Sequence, residues 1–160
     1  MSSDPTEIAI VGYREELAPD FARLNYEWIE KAYTIEDHDR ELLSDPHTHI
    51  IEPGGEILFA MSGENVAGTV ALIPFGSDSF ELAKMAVSPE SRGRGIGDRL
   101  MAASIDHARK AGKRSIILES NTKQVAAIAL YRKHGFEETP LDPNSHFTRA
   151  NIRMELRLDQ

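Results

Sequence analysis

The sequence contains no cysteine among its 160 residues, which excludes disulfides, thiolate metal sites and a cysteine nucleophile. It also has no apolar run near the ~18–20 residues that a membrane span needs. The opening Met-Ser-Ser-Asp-Pro-Thr-Glu has neither a basic stretch nor an apolar segment, so no secretory signal is predicted. We therefore expect a cytoplasmic protein without a membrane partner.

Positive charge is scarce, because 18 Lys and Arg residues stand against 26 Asp and Glu residues and the net charge is −8. Such a surface opposes nonspecific binding to nucleic acid, and no nucleic-acid partner is expected. The basic residues are nevertheless concentrated between Arg92 and Arg114. A local basic site on an acidic chain favours a phosphorylated small molecule as ligand. The length predicts one domain over residues 1–160.

Hydrophobic periodicity predicts the element order β-α-α-β-β-β-α-β-α-β. Strands are predicted at Ile8–Val11, Ile57–Met61, Val66–Ile73, Phe80–Val87, Ser115–Glu119 and Phe147–Leu158. Helices are predicted at Leu17–Ala32, Ile35–Leu43, Ile96–Ala111 and Lys123–His134. Short polar turns join the second, third and fourth strands, which is typical of an antiparallel meander. The pattern predicts a mixed α/β or α+β sandwich around one sheet.

A glycine-rich loop, Arg92-Gly93-Arg94-Gly95-Ile96-Gly97, lies between a predicted strand and a predicted helix. Its glycines let the backbone turn sharply and approach a ligand. The unpaired N–H groups of the first helical turn attract anions, and the two arginines add full charges. A Walker loop would end in Gly-Lys-Ser/Thr, whereas Asp98 follows here. A dinucleotide fingerprint would read Gly-x-Gly-x-x-Gly, whereas the spacing here is Gly-x-Gly-x-Gly.

The spacing Arg-x-x-Gly-x-Gly, from Arg92 to Gly97, resembles the pyrophosphate loop of the GNAT superfamily of acyl-CoA-dependent N-acetyltransferases. Leu82–Pro89, Leu118-Glu119 and Ala127–Phe136 resemble the flanking strands and the following helix of that family, in the same order. The resemblance covers about residues 80–138 firmly. It implies the GNAT fold, an α/β (α+β) arrangement in which a mixed, mostly antiparallel sheet of about six to seven strands is flanked by about four helices. The fourth and fifth strands are expected to splay apart.

The resemblance also implies acetyl-CoA as co-substrate. No metal is expected, because His47 and His49, which flank Thr48, lack the further ligands that a metal site needs. Pantetheine is expected to pair with the backbone of Met85, Ala86 and Val87. The residues expected to hold the rest of the cofactor are Arg92, Gly93, Arg94, Gly95, Ile96, Gly97, Asn121, Gln124 and Tyr131. Relatives often carry Asn at the position of Gln124, so the pantetheine contact is assigned either to Gln124 or to Asn121.

Acetyl transfer to an amine poses two proton problems. A lysine-like ammonium, with a pKa of about 10, must lose a proton, and a departing thiolate, with a conjugate-acid pKa of about 8.5, needs a donor. Without a cysteine, direct attack in a ternary complex is the economical mechanism. The family pattern makes Tyr131 the general-acid candidate. Glu119, which ends an apolar strand at the expected splay, is the general-base candidate, and Glu81 or a water chain is the alternative.

The resemblance also implies that the first two helices wall the acceptor side. Trp28 falls on an apolar helix face, so core packing is favoured over ligand stacking. The acidic residues Glu36, Asp37 and Asp39 either attract a cationic acceptor or form an acidic helix start. His146 and Arg149 precede the last strand, where Arg149 could bind a carboxylate.

The leading hypothesis is acetylation of a primary amine on a small molecule, because no extended peptide-binding insertion is apparent. Acetylation of a protein N-terminus or lysine is one alternative, and a non-catalytic acyl-CoA sensor is another. A homodimer is a further expectation, because the last strand could offer an edge for pairing.

Overall fold

The computed structural model describes residues 7–145 and 148–159. Its strands are β1 (Ile8–Val11), β2 (Glu56–Ser62), β3 (Asn65–Phe75), β4 (Ser79–Val87), β5 (Ser115–Ser120), β6 (Glu137–Thr139) and β7 (Ile152–Arg157). Its α-helices are α1 (Ala18–Ala32), α2 (Asp37–Ser44), α3 (Ile96–Lys110) and α4 (Val125–Lys133). The strands form one 7-stranded sheet in the order β1-β2-β3-β4-β5-β7-β6. The predicted fold class is confirmed.

The first four strands form the expected antiparallel meander. Gly63 and Gly76 supply the turns after β2 and β3, with φ angles of 63° and 64° that glycine adopts at no steric cost. The pairing of β4 with β5 is parallel and covers only Ser79, Phe80 and Glu81 on β4. Beyond these residues the two strands separate, which confirms the predicted splay.

Two apolar clusters lie on opposite faces of the sheet. One contains Leu72 of β3 and packs against Leu100 and other residues of α3. The other contains Ala71 of β3 and packs against Phe21 of α1 and Leu42 of α2. Successive residues of a strand point to opposite faces, so β3 supplies both clusters. Burying each large apolar side chain stabilises the fold by about 1.5–3 kcal/mol.

The structure differs from the prediction at the end of the chain. The last strand begins at Ile152 rather than at Phe147, and Phe147 and His146 lie outside the described residues. The sequence pattern missed β6, a strand of 3 residues that, within the described part of the chain, pairs only with β7. Because β7 lies between β5 and β6, the expectation that the last strand is a sheet edge is wrong. The homodimer stays a prediction.

Smaller differences have local causes. Helix α4 begins at Val125 rather than Lys123, because the Asn121 side chain accepts a hydrogen bond from the Lys123 backbone and forms a turn there. A short π-helical segment at His47–Ile51 was not predicted. Within residues 7–145 and 148–159, none of the helices combines the length and the apolar character that a membrane span requires.

Candidate active site

A cleft with a volume of about 270 Å³ opens where β4 and β5 separate. The predicted site residues that line it are Met85, Ala86, Val87, Arg92, Glu119, Asn121, Gln124 and Tyr131, together with the alternative base Glu81. The remaining loop residues, Gly93 to Gly97, are not among its lining residues. The structure therefore brings both candidate catalytic side chains to one cleft and leaves most of the glycine loop beside it.

Strand β4 carries a β-bulge where it borders the cleft. Ala71 of β3 pairs with Ala83, and Thr69 pairs with Ala86, so two residues of β4 lie opposite one residue of β3. The extra residue reverses the faces of the strand. Leu82 belongs to the cluster beneath α3, whereas Ala86 belongs to the cluster beneath α1.

Lys84, within the bulge, has a φ of 56° and is the one non-glycine residue with positive φ in the described part of the chain. For a residue with a Cβ this conformation costs about 1–2 kcal/mol. Beyond Glu81, β4 has no pairing with β5. The cleft side of this strand therefore resembles a sheet edge within the molecule, and such an edge can bond the amide groups of an extended ligand.

The glycine loop leads directly into α3. Gly95 is the N-cap residue with a φ of 72°, and an added Cβ would meet nothing within 4 Å. The backbone conformation, rather than lack of space, therefore favours glycine here. Ile96 is buried and fixes the start of the helix in the core. The N–H groups of this first turn, next to Arg92 and Arg94, form a site suited to a phosphate group.

Gly97 has a different role. A Cβ at this position would lie 3.2 Å from Leu130 Cδ2 of α4, which is tighter than ordinary van der Waals contact. The glycine therefore lets α3 and α4 approach closely. This packing holds the helix that carries Tyr131 against the loop.

Tyr131 lies on α4 with 8% of its surface exposed. Its ring centroid is 6.0 Å from that of Phe136. Burial raises the pKa of the phenol to about 12, because the charged phenolate is disfavoured away from water. The hydroxyl therefore stays protonated at neutral pH and is available as a donor.

Glu119 lies near the carboxyl end of β5. Within the described residues, its Oε2 atom is buried and has no hydrogen-bond partner. Leaving a buried acceptor unpaired costs about 1–3 kcal/mol, and more when the group is charged. Glu119 and Glu81 also line a second cavity of about 40 Å³, which Arg153 and the segment at 142–145 enclose. Both candidate bases therefore stand between the cleft and this smaller cavity.

Two aromatic side chains, Trp28 and Tyr33, also line the cleft. Trp28 and Tyr33 meet edge to face, with ring centroids 6.3 Å apart. Trp28 packs against the cluster beneath α1, as expected, but it also lines the cleft. Tyr33 also lines the cleft, although no role was predicted for it from the sequence. Its hydroxyl accepts a hydrogen bond from Gln124 Nε2 at 3.3 Å.

The two candidates for the pantetheine contact differ in their surroundings. Asn121 donates to the backbone carbonyl of Arg149 at 2.7 Å and accepts from the Lys123 backbone at 2.9 Å. Both ends of its amide are thus used in local structure. Both side chains line the cleft, but the Gln124 amide makes one side-chain hydrogen bond among the described residues, the 3.3 Å bond to Tyr33. Its oxygen is not used in that bond, which makes Gln124 the better-placed amide.

A buried charged cluster lies beside the cleft, and two of its members, Lys84 and Arg149, line it. Asp39 has 0% exposure and contacts both Lys84 and Arg149. Burial alone raises the pKa of Asp39, but hydrogen bonds from Arg149 and Lys84 outweigh this effect and hold it well below its usual range. Glu36 bonds Arg149 as well, at 3.1 Å. Glu36 and Asp39 also form a capping box at the start of α2.

This cluster changes how the acidic residues are interpreted. Asp39 is paired and inaccessible, so it does not attract a cationic acceptor, and the helix-start interpretation is correct for Glu36 and Asp39. Arg149 is already paired with two carboxylates. No local sequence pattern indicates the Lys84–Asp39 pair, because 45 positions separate the two residues. Among the described residues, no group of three or more His, Asp and Glu side chains could hold a metal ion.

Known proteins similar to this chain identify its family. The model of the Acetyltransferase (GNAT) family matches residues 16–136. Rat N-acetyltransferase 8B is 34% identical over 97 residues, which make up 58% of this chain and 44% of that protein. The chain spans between 41% and 45% of the length of this and two further rat relatives.

Among the solved structures similar to the chain are two acetyltransferases. A GNAT-family acetyltransferase from Staphylococcus aureus Mu50 has a TM-score of 0.86 at 21% identity, covering 95% of this chain and 99% of that one. Spermidine N-acetyltransferase from Vibrio cholerae, solved with CoA and spermine, has a TM-score of 0.71 at 20% identity, covering 96% and 97%. At these identities the likeness establishes the fold.

Proposed function

The chain belongs to the GNAT acetyltransferase family, and we propose that it transfers an acetyl group from acetyl-CoA to a primary amine. One observation carries the proposal. Glu119 and Tyr131 line the same cleft, beside the stretch of β4 that does not pair with β5. Within the described residues, one buried carboxylate oxygen of Glu119 has no hydrogen-bond partner, and the Tyr131 hydroxyl is protonated at neutral pH. The arrangement supplies a proton acceptor, a hydrogen-bond donor and a strand edge for an extended donor molecule.

The residues fit the donor molecule that the family uses. Acetyl-CoA would supply the acetyl group as a thioester. Arg92 and the N–H groups at the start of α3 would hold its pyrophosphate. The β4 backbone at Met85–Val87 and the side chain of Gln124 would bond the amides of its pantetheine arm.

Glu119 is proposed as the base that accepts a proton from the ammonium form of the acceptor. Its buried oxygen gains a partner when an ammonium group arrives, which offsets the cost of leaving that oxygen unpaired. Glu81 shares both cavities with Glu119 and remains the alternative. A positioned base typically contributes about 10²–10⁴-fold to the rate.

Tyr131 is proposed as the donor to the thioester sulfur. The pKa of its phenol, about 12, lies above the ~8.5 of an ordinary thiol. Complete proton transfer from the phenol to the thiolate is therefore unfavourable. The hydroxyl acts better by donating a hydrogen bond as negative charge develops on sulfur, and the proton that completes the thiol comes from solvent.

A small molecule is proposed as the acceptor. The cleft of about 270 Å³ must admit both the end of the pantetheine arm and the amine, which suits a small amine or a single extended chain end. The acceptor end is bounded by Trp28, Tyr33 and Arg149. A peptide N-terminus or lysine is the second candidate, and a polyamine is a reasonable member of the test panel because spermidine N-acetyltransferase shares the fold.

Two measurements test this proposal. Calorimetric titration with acetyl-CoA should give binding below millimolar concentration. Mass spectrometry should then detect an acetylated product from at least one of three acceptor sets: amino acids and polyamines, aminoglycosides, and peptides with a free N-terminus or lysine. Product from peptides alone would overturn the small-molecule assignment. Binding without any product would favour an acyl-CoA sensor, and absence of binding would exclude both functions.

A further inference from the structure

Lys84 combines a left-handed backbone with a buried ion pair of its side chain. Residues with a Cβ avoid this conformation, and they keep it only where the surrounding structure fixes it. The Lys84 side chain is 4% exposed and its ammonium contacts Asp39 Oδ1. Burial lowers the pKa of Lys84, and the contact with Asp39 opposes that effect. The carboxylate thus keeps a charged partner beside a strained stretch of β4.

Asp39 holds two other segments at the same time. Its Oδ2 accepts from Arg149 Nη1 at 2.9 Å and from the Glu36 backbone at 2.8 Å. Its Oδ1 accepts from Arg149 Nη2 at 2.7 Å. One fully buried carboxylate therefore joins the start of α2, the bulge of β4 and the segment that enters β7.

Asp39 itself is not among the described residues that line the cleft, whereas Lys84 and Arg149 are. Any effect of Asp39 on the reaction must therefore pass through its partners. The bulge that Lys84 occupies decides which way the backbone of the next three residues, Met85 to Val87, is presented.

We propose that Asp39 is a positioning residue, which fixes the left-handed backbone of Lys84 and thereby presents the β4 backbone to the pantetheine arm. The proposal rests on CoA binding in this cleft. Its structural half, that Asp39 holds the bulge, can be measured in the free protein.

The first experiment replaces the carboxylate. Asp39→Asn should speed the amide hydrogen exchange of β4 from Ala83 to Ala86 and weaken CoA binding about tenfold. Asp37→Asn is the matched control, because Asp37 lies on the same helix, is fully exposed and pairs only locally with Arg40 among the described residues. It should change neither quantity by more than about twofold. If the amide exchange of β4 is unchanged in Asp39→Asn, Asp39 does not hold the bulge and the proposal is wrong.

A second pair of variants isolates the backbone. Lys84→Gly and Lys84→Ala both remove the ammonium, and both leave Asp39 paired with Arg149, so both should fold. Glycine adopts positive φ without strain, whereas alanine does not. Lys84→Gly should therefore bind CoA about fivefold more tightly than Lys84→Ala. When each change is combined with Asp39→Asn, only Lys84→Gly should restore part of the CoA affinity that Asp39→Asn alone loses.

The outcomes separate the two proposals. Equal CoA affinity of the glycine and alanine variants would show that the backbone conformation is not what Asp39 provides. Lower stability of Asp39→Asn with unchanged affinity and exchange would leave it a purely structural residue and overturn the inference. A wild-type protein that does not bind CoA would overturn the proposed function. Faster amide exchange in Asp39→Asn would even then support the claim that Asp39 holds the bulge.

Discussion

Among single residues, Tyr131 is the one on which the proposed acetyl transfer depends most. Tyr131→Phe removes one hydrogen-bond donor and little volume. We expect kcat to fall by about 10²–10³-fold, the range for losing one donor to a developing anion. The dissociation constant of CoA should stay within about twofold. Steady-state rates and calorimetry measure both quantities.

The control for this variant is Tyr26→Phe, which makes the same change on α1 at a partly buried tyrosine that is not among the lining residues of the cleft. It should retain kcat. Full activity of Tyr131→Phe would remove the donor role.

Glu119 is tested by its pH dependence. Glu119→Gln should lower kcat/KM by about 10²–10⁴-fold near neutral pH, the usual contribution of a general base. Without a base, only amine that has already lost its proton reacts. The remaining rate should therefore rise about tenfold per pH unit until the pH reaches the pKa of the amine, at about 10 for a lysine-like acceptor.

Glu81→Gln distinguishes the two carboxylates, since both line the cleft and the smaller cavity. It should leave kcat/KM within severalfold of wild type. A larger loss in Glu81→Gln than in Glu119→Gln would transfer the role of base to Glu81.

The sequence predicted some of these residues and could not predict others. Glu119 and Tyr131 stand in segments whose pattern matches a family, and the structure brings both to one cleft. The buried pairs of Asp39 join positions 45 and 110 residues apart. No local pattern encodes such contacts, because they depend on how α2 and the segment before β7 pack onto β4.

At the scale of elements, the glycine loop makes a separable prediction. Gly95→Ala and Gly76→Ala both place a Cβ on left-handed backbone, with φ of 72° and 64° and nothing within 4 Å of the new atom. Each should lower the free energy of unfolding by about 1–2 kcal/mol. Only Gly95→Ala should also weaken CoA binding, about tenfold, because only Gly95 caps the helix that faces the phosphates.

Urea unfolding and CoA titration of the two variants provide the comparison. Equal CoA affinity in both variants would argue that the loop does not hold the pyrophosphate. Gly76 lies in the turn between β3 and β4. Gly76→Ala therefore imposes the same conformational strain as Gly95→Ala at a site away from the glycine-rich loop.

Elements were predictable where periodicity was strong. The meander and the helix after the glycine loop follow from strand and helix patterns, whereas the separation of β4 from β5 was expected only from the family resemblance. The bulge at Lys84 was not predicted, because β4 packs against apolar clusters on both faces of the sheet. Its sequence therefore has no single polar face whose change of side would reveal an extra residue. Strand β6 was missed because its 3 residues are too few to establish a period.

At the scale of the whole molecule, the buried carboxylate links stability to pH. The pKa of Asp39 is lowered in the folded protein, so its ionised form stabilises the fold above the unfolded-state value of about 3.9. This contribution is lost as the pH falls from about 4 toward the folded-state pKa.

Urea unfolding of wild type and Asp39→Asn between pH 3 and 7 tests this linkage. The stability difference between the two should be largest at neutral pH and should shrink below about pH 4. Asp37→Asn should follow the wild type throughout. A difference that is independent of pH would show that the ionisation of Asp39 does not stabilise the fold.

The central claim is that one cleft between the diverging β4 and β5 both holds an acyl-CoA thioester and activates an amine. The most direct measurement is the rate of thiol release at saturating acetyl-CoA, with and without the best acceptor amine, for wild type and for the double variant Glu119→Gln/Tyr131→Phe. We predict amine-dependent release by wild type and nearly complete loss in the double variant, which should still bind CoA. Equal rates in the two proteins, or no amine-dependent release by a wild type that binds acetyl-CoA, would contradict the account.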